Sequence, residues 1–145
     1  MSRLRKYLAL TPAGRALVLR SLLLLPAVAV LLRARGMART MALLERLGRR
    51  GEGDSGALAP QEIARLVDAA ASLLRVRCLP RSLALRHFLR HHSTSAEVRL
   101  GVSKLADGSL SAHAWLEFDG LPLNEHADVF EHYAALPSRR GQIPR

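Results

Sequence analysis

Cys78, His113 and the adjacent pair Asn124-Glu125 are the residues of this 145-residue chain whose types and spacing suit chemistry. A thiol, an imidazole and a carboxylate or carboxamide together perform nucleophilic acyl chemistry. The thiolate attacks a carbonyl carbon, the imidazole takes the proton and returns it to the leaving amine, and the third group orients the imidazole. Cys78 is the sole cysteine, which excludes a disulfide framework and zinc sites built on Cys pairs and suits a reducing cytoplasm. The chain has no HExxH, P-loop or GxGxxG pattern, so neither a metal nor a cofactor is expected.

Two helices and a run of strands must bring these residues together. Pro60 opens a stretch in which Ile63, Leu66, Val67, Ala70, Leu73 and Leu74 follow the helical period, and Arg75-Val76-Arg77 breaks it. A second helix starts near Cys78, carries Pro80 in its first turn and runs to about His91. Cys78 therefore sits at a helix N-terminus, where unpaired N–H groups and the macrodipole favour a thiolate and can cradle an oxyanion. Cys78, Ser82, Leu85 and Leu89 share one helix face, so the thiol is expected on the side packed against the following sheet.

That sheet reads as EVRLGVSKL, SLSAHAWLEF and LPLNE, separated by Asp107-Gly108 and Asp119-Gly120, two strong hairpin signals. His113 shares a strand face with Trp115 and Glu117, opposite Ala112, Ala114, Leu116 and Phe118. Trp115 is a candidate wall for the site or a core residue. The second hairpin admits two registers. A two-residue loop pairs Phe118 with Leu121, putting Asn124 on the His113 face and Glu125 behind it. A three-residue loop pairs Glu117 with Leu121 and sets Glu125 opposite His113. The periodicity fits both, leaving either Asn124 or Glu125 to orient the imidazole.

The architecture predicted is α+β: a helix pair followed by an antiparallel meander, with a basic helical segment in front. Its parts are a basic helical segment at 1–50, a Gly-rich linker at 51–57 and the catalytic domain at 58–145. Residues 1–50 hold 11 Lys/Arg against one acid, Glu45, while residues 51–145 hold 11 of each sign. All of the net charge of +10 therefore lies in the first third. Aromatic residues are 4% of the chain, too few for base stacking, and nucleic acid is not an expected partner. Residues 21–32, SLLLLPAVAVLL, form an apolar run shorter than the roughly 20 residues needed to span a bilayer, and Pro26 interrupts it. The segment is expected to pack on the domain or a partner, or to lie on a membrane surface through residues 16–32. A targeting segment is the third reading.

CLPRSLALRHFL, RLGV, SAHAWLEFDGLPLNE and DVFEHYAAL together resemble the transglutaminase-like leader peptidases of lasso-peptide biosynthesis. The likeness is to the B-type processing protein in the form without a fused leader-binding domain. It covers roughly residues 58–137 and rests on the Cys-Leu helix start and the His-Ala-Trp strand in this order. It implies a papain-like fold, Cys78 as nucleophile and His113 as general base. The acid falls on Glu125 where the family usually has Asp, which favours the three-residue loop. The partners implied are a precursor peptide, a separate leader-binding protein and an ATP-dependent macrolactam cyclase, with the protein cytoplasmic or peripheral at the inner membrane. Two rivals stand beside this reading: acyl transfer to an amine by the same triad, and a non-catalytic basic adaptor at a membrane or partner protein.

Overall fold

The computed structural model of the chain describes residues 3–50, 58–90 and 96–137. The stretch 51–57, expected to be a linker, and His91 and His92 lie outside the described residues. A short helix α1 (Arg3–Leu8) leads into α2 (Pro12–Arg50), and then come α3 (Pro60–Leu74) and α4 (Cys78–Leu89). Strands β1 (Glu97–Lys104), β2 (Leu110–Phe118) and β3 (Leu121–Pro122) follow, then the single turn α5 (Val129–His132) and β4 (Ala134–Ala135).

The sheet has the order β3-β2-β1-β4, and every pair in it is antiparallel. Helices α2, α3 and α4 pack on one another, and α4 lies against β2 and β1. The chain is thus α+β, with three helices on one side of a curled antiparallel sheet.

Helix α3 begins at Pro60 and ends where Arg75 turns left-handed (φ +53°), its N–H closing on the Ala71 and Ser72 carbonyls. Ile63, Leu66, Val67 and Ala70 are buried as their period requires. Leu73 and Leu74 belong to the same stripe but are exposed, while Ala71 in the same turn is buried.

Helix α2 differs from what its composition suggests. It continues through Pro26, which lies on the exposed side, and breaks instead at Gly36, whose φ of 74° and ψ of 175° are not helical. Only glycine adopts that backbone cheaply. A Cβ there would meet nothing within 4 Å, so conformation and not crowding sets the requirement. Buried Thr40 donates its hydroxyl to the Gly36 carbonyl at 2.8 Å, and Ser21 does the same to Leu17 at 2.8 Å. The two hydroxyls can therefore be buried on an apolar helix without loss.

One face of α2 enters each of the three parts of the core. Leu17 packs with Ile63, Leu66, Leu85 and Leu116; Leu25 packs with Ala70, Ala71 and Ala84; Val28 and Leu44 pack with Leu83. Small residues of α3 and α4 let α2 approach closely around Leu25. Leu25→Ala should therefore cost about 2–5 kcal/mol through the cavity it opens against Ala70, Ala71 and Ala84. Denaturant unfolding checks this, and a loss under 1 kcal/mol would show that α2 packs loosely on the domain.

Candidate active site

Cys78 is the first residue of α4. Its N-cap, Arg77, is extended and gives no side-chain cap, so the helix opens without a side chain competing for its first N–H groups. Val76, folded back by the Arg75 turn, packs with Ala70, Ala71 and Ala84 and helps fix where α4 begins. The thiol is free and partly exposed.

Arg81 and Ser82 stand one turn further along. Ser82 is fully buried and donates its hydroxyl to the Ala114 carbonyl of β2 at 3.2 Å. Its oxygen accepts from Asn124 Nδ2 at 3.4 Å, and Asn124 Oδ1 accepts the Leu116 N–H at 2.8 Å. These three bonds close a circuit between α4, β2 and the chain leaving β3. Asn124 is 8% exposed, and both ends of its amide are used structurally.

The hairpin register corrects the one favoured by the resemblance. Phe118 pairs with Leu121 and Glu117 with Pro122, the two-residue loop. Asp119 and Gly120 both have positive φ (52° and 81°), the backbone of a type I′ turn. Yet Asn124 does not reach His113, and Glu125 does. The reason is that the ladder stops. Leu123 still donates its N–H to the Leu116 carbonyl at 2.9 Å, but the Leu116 N–H goes to the Asn124 side chain instead of a neighbouring carbonyl. Released from the strand, the backbone bends and carries Glu125 to the imidazole.

Glu125 Oε1 lies 3.0 Å from His113 Nε2. The same oxygen accepts from Arg81 Nη2, so one carboxylate oxygen joins the histidine strand to the helix that starts at Cys78. All three side chains are only 21–24% exposed. Behind them, Asp68 Oδ1 of α3 sits 3.6 Å from Arg81 Nε, although neither atom makes a hydrogen bond among the described residues. Burial pushes the Asp68 carboxyl up to about 6, outweighing the pull of Arg81, and the nearby Glu125 charge adds to the rise. Two carboxylates here compete for one guanidinium.

The two faces of β2 divide as the alternation predicts, and the one that carries His113 is turned away from α4. Leu116, with Val98 opposite it, packs toward Leu85 and Leu89 of α4, and Trp115 faces the other way. His113 shares the Trp115 side, with ring centroids 6.3 Å apart and planes 23° apart. Its other neighbour is Tyr133, 5.1 Å away by centroid, and Phe130 meets Trp115 edge-on at 6.0 Å. Thiol and imidazole thus do not meet through the packed face of the sheet, and no hydrogen bond joins Cys78 to His113 among the described residues. The link between their elements runs round the edge of β2, where β3 pairs only Glu117 and Phe118.

Trp115 is fully buried, and its indole N–H has no protein acceptor among the described residues. Its ring fits only because residue 101 is glycine: a Cβ there would lie 2.7 Å from Trp115 Cζ3 and 2.8 Å from Tyr133 Cβ. A glycine within the strand RLGV was the sequence sign of that close approach. Arg81 and Asp68 carried no comparable sign, since Arg81 sits in an ordinary helical turn and Asp68 on the margin of the α3 stripe. A cleft of about 580 Å³ elsewhere is lined by Met37, Met41, Arg86, Val98, Leu100 and Leu136, and none of the candidate residues borders it.

Two stability measurements test this geometry. Asn124→Ala strands the buried Leu116 N–H and should cost about 1–3 kcal/mol; a neutral result would mean that water replaces the circuit. Asp68, with its folded pKa raised from 3.8 to about 6, holds its proton more tightly folded than unfolded. Its stabilising contribution is complete below about 4 and is lost as pH rises through about 6. Asp68→Asn should flatten that fall in stability. Parallel pH profiles for the two proteins would exclude Asp68 as the titrating group.

Neither curated proteins nor solved structures gave a match to the chain. The sequence model of the transglutaminase-like superfamily, whose enzymes generally work through a cysteine, matches residues 22–138, from within α2 to just past β4. That span covers most of the sequence and holds Cys78, His113 and Glu125 together with the helices packed behind them: the chain belongs to the transglutaminase-like superfamily.

Proposed function

We propose that this protein is a cysteine peptidase that removes the leader from a ribosomally synthesised lasso-peptide precursor. It works with a separate leader-binding protein and an ATP-dependent macrolactam cyclase, in the cytoplasm. The observation that carries the catalytic reading is the 3.0 Å contact of His113 Nε2 with a Glu125 oxygen that Arg81 also holds. The lasso assignment rests on the sequence resemblance over residues 58–137.

A carboxylate oxygen only accepts hydrogen bonds, so the contact with Glu125 fixes the proton on Nε2. Nδ1 then carries the lone pair and is the atom that takes the Cys78 proton. Cys78 Sγ attacks the scissile carbonyl, and the negative oxygen is received at the uncapped start of α4. His113 returns the proton to the departing amine as the C–N bond breaks, leaving a thioester on Cys78. Water, deprotonated by His113, attacks the thioester and restores the thiol. No hydrogen bond joins Cys78 to His113 among the described residues, so this step requires substrate binding to bring sulfur and imidazole together round the edge of β2.

Glu125 takes the place where the family usually has Asp, and its extra methylene suits a residue outside the strand ladder. The rings of Trp115 and Tyr133 pack beside the imidazole and restrict its movement.

The test is mass spectrometry of a lasso precursor incubated with the leader-binding protein and this chain. Cleavage at one bond by the wild type, absent with Cys78→Ala, is the expected result. His113→Ala should lower turnover about 100- to 10,000-fold with the fold retained. Glu125→Gln should lower it less, mainly through kcat. A product heavier by a bound amine instead of water would assign acyl transfer. No turnover by the folded wild type with its partner present would leave the basic-adaptor reading.

A further inference from the structure

The outer face of α2 is apolar, unpartnered and bordered by arginines. Leu19, Leu23 and Val30 are 54%, 76% and 63% exposed, and Pro26 and Ala27 between them are exposed as well. At 100° per residue these five lie along one stripe of about three turns. It faces away from Leu17, Leu25 and Val28, which lie in the core with α3 and α4. Arg20 borders the stripe on one flank, Arg33 closes its far end and Arg35 follows, all exposed. No acidic residue precedes Glu45.

By length and composition α2 passes for a membrane-crossing helix. It cannot cross a bilayer while its other face packs on the water-soluble helices α3 and α4. An in-plane position satisfies both faces at once. The apolar stripe enters the acyl region, the arginines extend to the headgroups and the inner face keeps its core contacts.

We infer that α2 docks this protein on the surface of an anionic lipid bilayer through the stripe Leu19–Leu23–Pro26–Ala27–Val30. The charge distribution selects this occupant. A protein partner would need an apolar groove rimmed by acids, whereas an anionic bilayer supplies an apolar interior beneath a negative surface everywhere. Residues 1–50 carry the whole net charge, and residues 51–145, which hold the candidate site, are neutral. Long-range attraction therefore orients the α2 side toward the lipid. The layers then run from bilayer to α2, to α3 and α4, and to the sheet. His113, partly exposed, lies on the far side of that sheet, away from the lipid.

Flotation of the full chain with phosphatidylcholine vesicles, with or without an anionic phospholipid, tests this independently of any peptidase activity. Binding is expected to the anionic vesicles alone and to weaken as salt is raised. Leu19→Asp/Leu23→Asp, at exposed positions, should abolish it with the circular dichroism unchanged. Arg20→Gln/Arg33→Gln should weaken it by about fivefold per arginine. Leu23→Trp should show blue-shifted emission on anionic vesicles, against a background of one buried tryptophan. Equal binding to neutral vesicles, or unchanged binding by the Leu variant, would overturn the proposal. So would a wild-type dimer in size-exclusion chromatography that the Leu variant dissolves, since a second copy would then cover the stripe. Failure of Leu19→Asp/Leu23→Asp to fold would show that these side chains serve the core, again overturning it; the arginine variant keeps the electrostatic arm testable.

Discussion

The hydrogen-bond circuit through Ser82 and Asn124 is the constraint from which the site geometry follows. Its three bonds tie α4 to the Ala114 carbonyl and the Leu116 N–H of β2. Buried polar groups must be paired, so the circuit admits one relative placement of helix and strand, where apolar contact alone would tolerate sliding. Cys78, one turn before Ser82, and His113, next to Ala114, inherit that placement. The same amide ends the β3 ladder, and that ending delivers Glu125. A short stretch of chain, LNE, thus contributes one residue that fastens the scaffold and one that touches the imidazole.

The consequence for reading sequences is specific. Asp119-Gly120 correctly signals a tight hairpin, and its I′ backbone follows from two residues that tolerate positive φ. Extending either register mechanically then misassigns one of the two residues. The two-residue loop places Glu125 behind the strand, and the three-residue loop reaches Glu125 by a pairing the chain does not make. The error arises because strand periodicity applies only while backbone bonds backbone. Once the Asn124 side chain substitutes for a carbonyl, periodicity stops carrying information, and nothing local to Leu121–Pro122 announces the change. Resemblance to a family identified the residue without the path that brings it there.

The helices were more legible than their surroundings, for a related reason. The α3 stripe is a local pattern, and its buried members sit where the pattern puts them. Pro26 and Gly36 are also local signals, but their weights reverse. Proline removes one N–H, tolerable on an exposed helix side where water can serve the unmatched carbonyl, whereas positive φ at Gly36 changes the chain direction outright. Composition made the proline look like the interruption. Strand alternation puts His113 on the Trp115 side, as found, but it gives relative sides only. Which side meets α4 is decided by the bulk of Leu116 and Val98 against Leu85 and Leu89, and by the need of Trp115 for the space above Gly101.

A half-buried cluster of Asp68, Arg81, Glu125 and His113 is costly in a small domain, and α2 helps to offset that cost. Each carboxylate removed from water must be repaid by pairing or by proton uptake. Glu125 takes the guanidinium and the imidazole; Asp68, left with the looser contact, has its pKa pushed up toward neutrality instead. The stability that tolerates this arrangement comes from the apolar contacts of Leu17, Leu25 and Val28 behind α3 and α4. The superfamily match begins at residue 22, so it includes Leu25 and Val28. The basic helix is therefore bound energetically to the site it does not touch. Its inner face supplies core that the charge cluster depends on, and its outer face is left free to meet a surface without disturbing the histidine on the opposite side of the sheet.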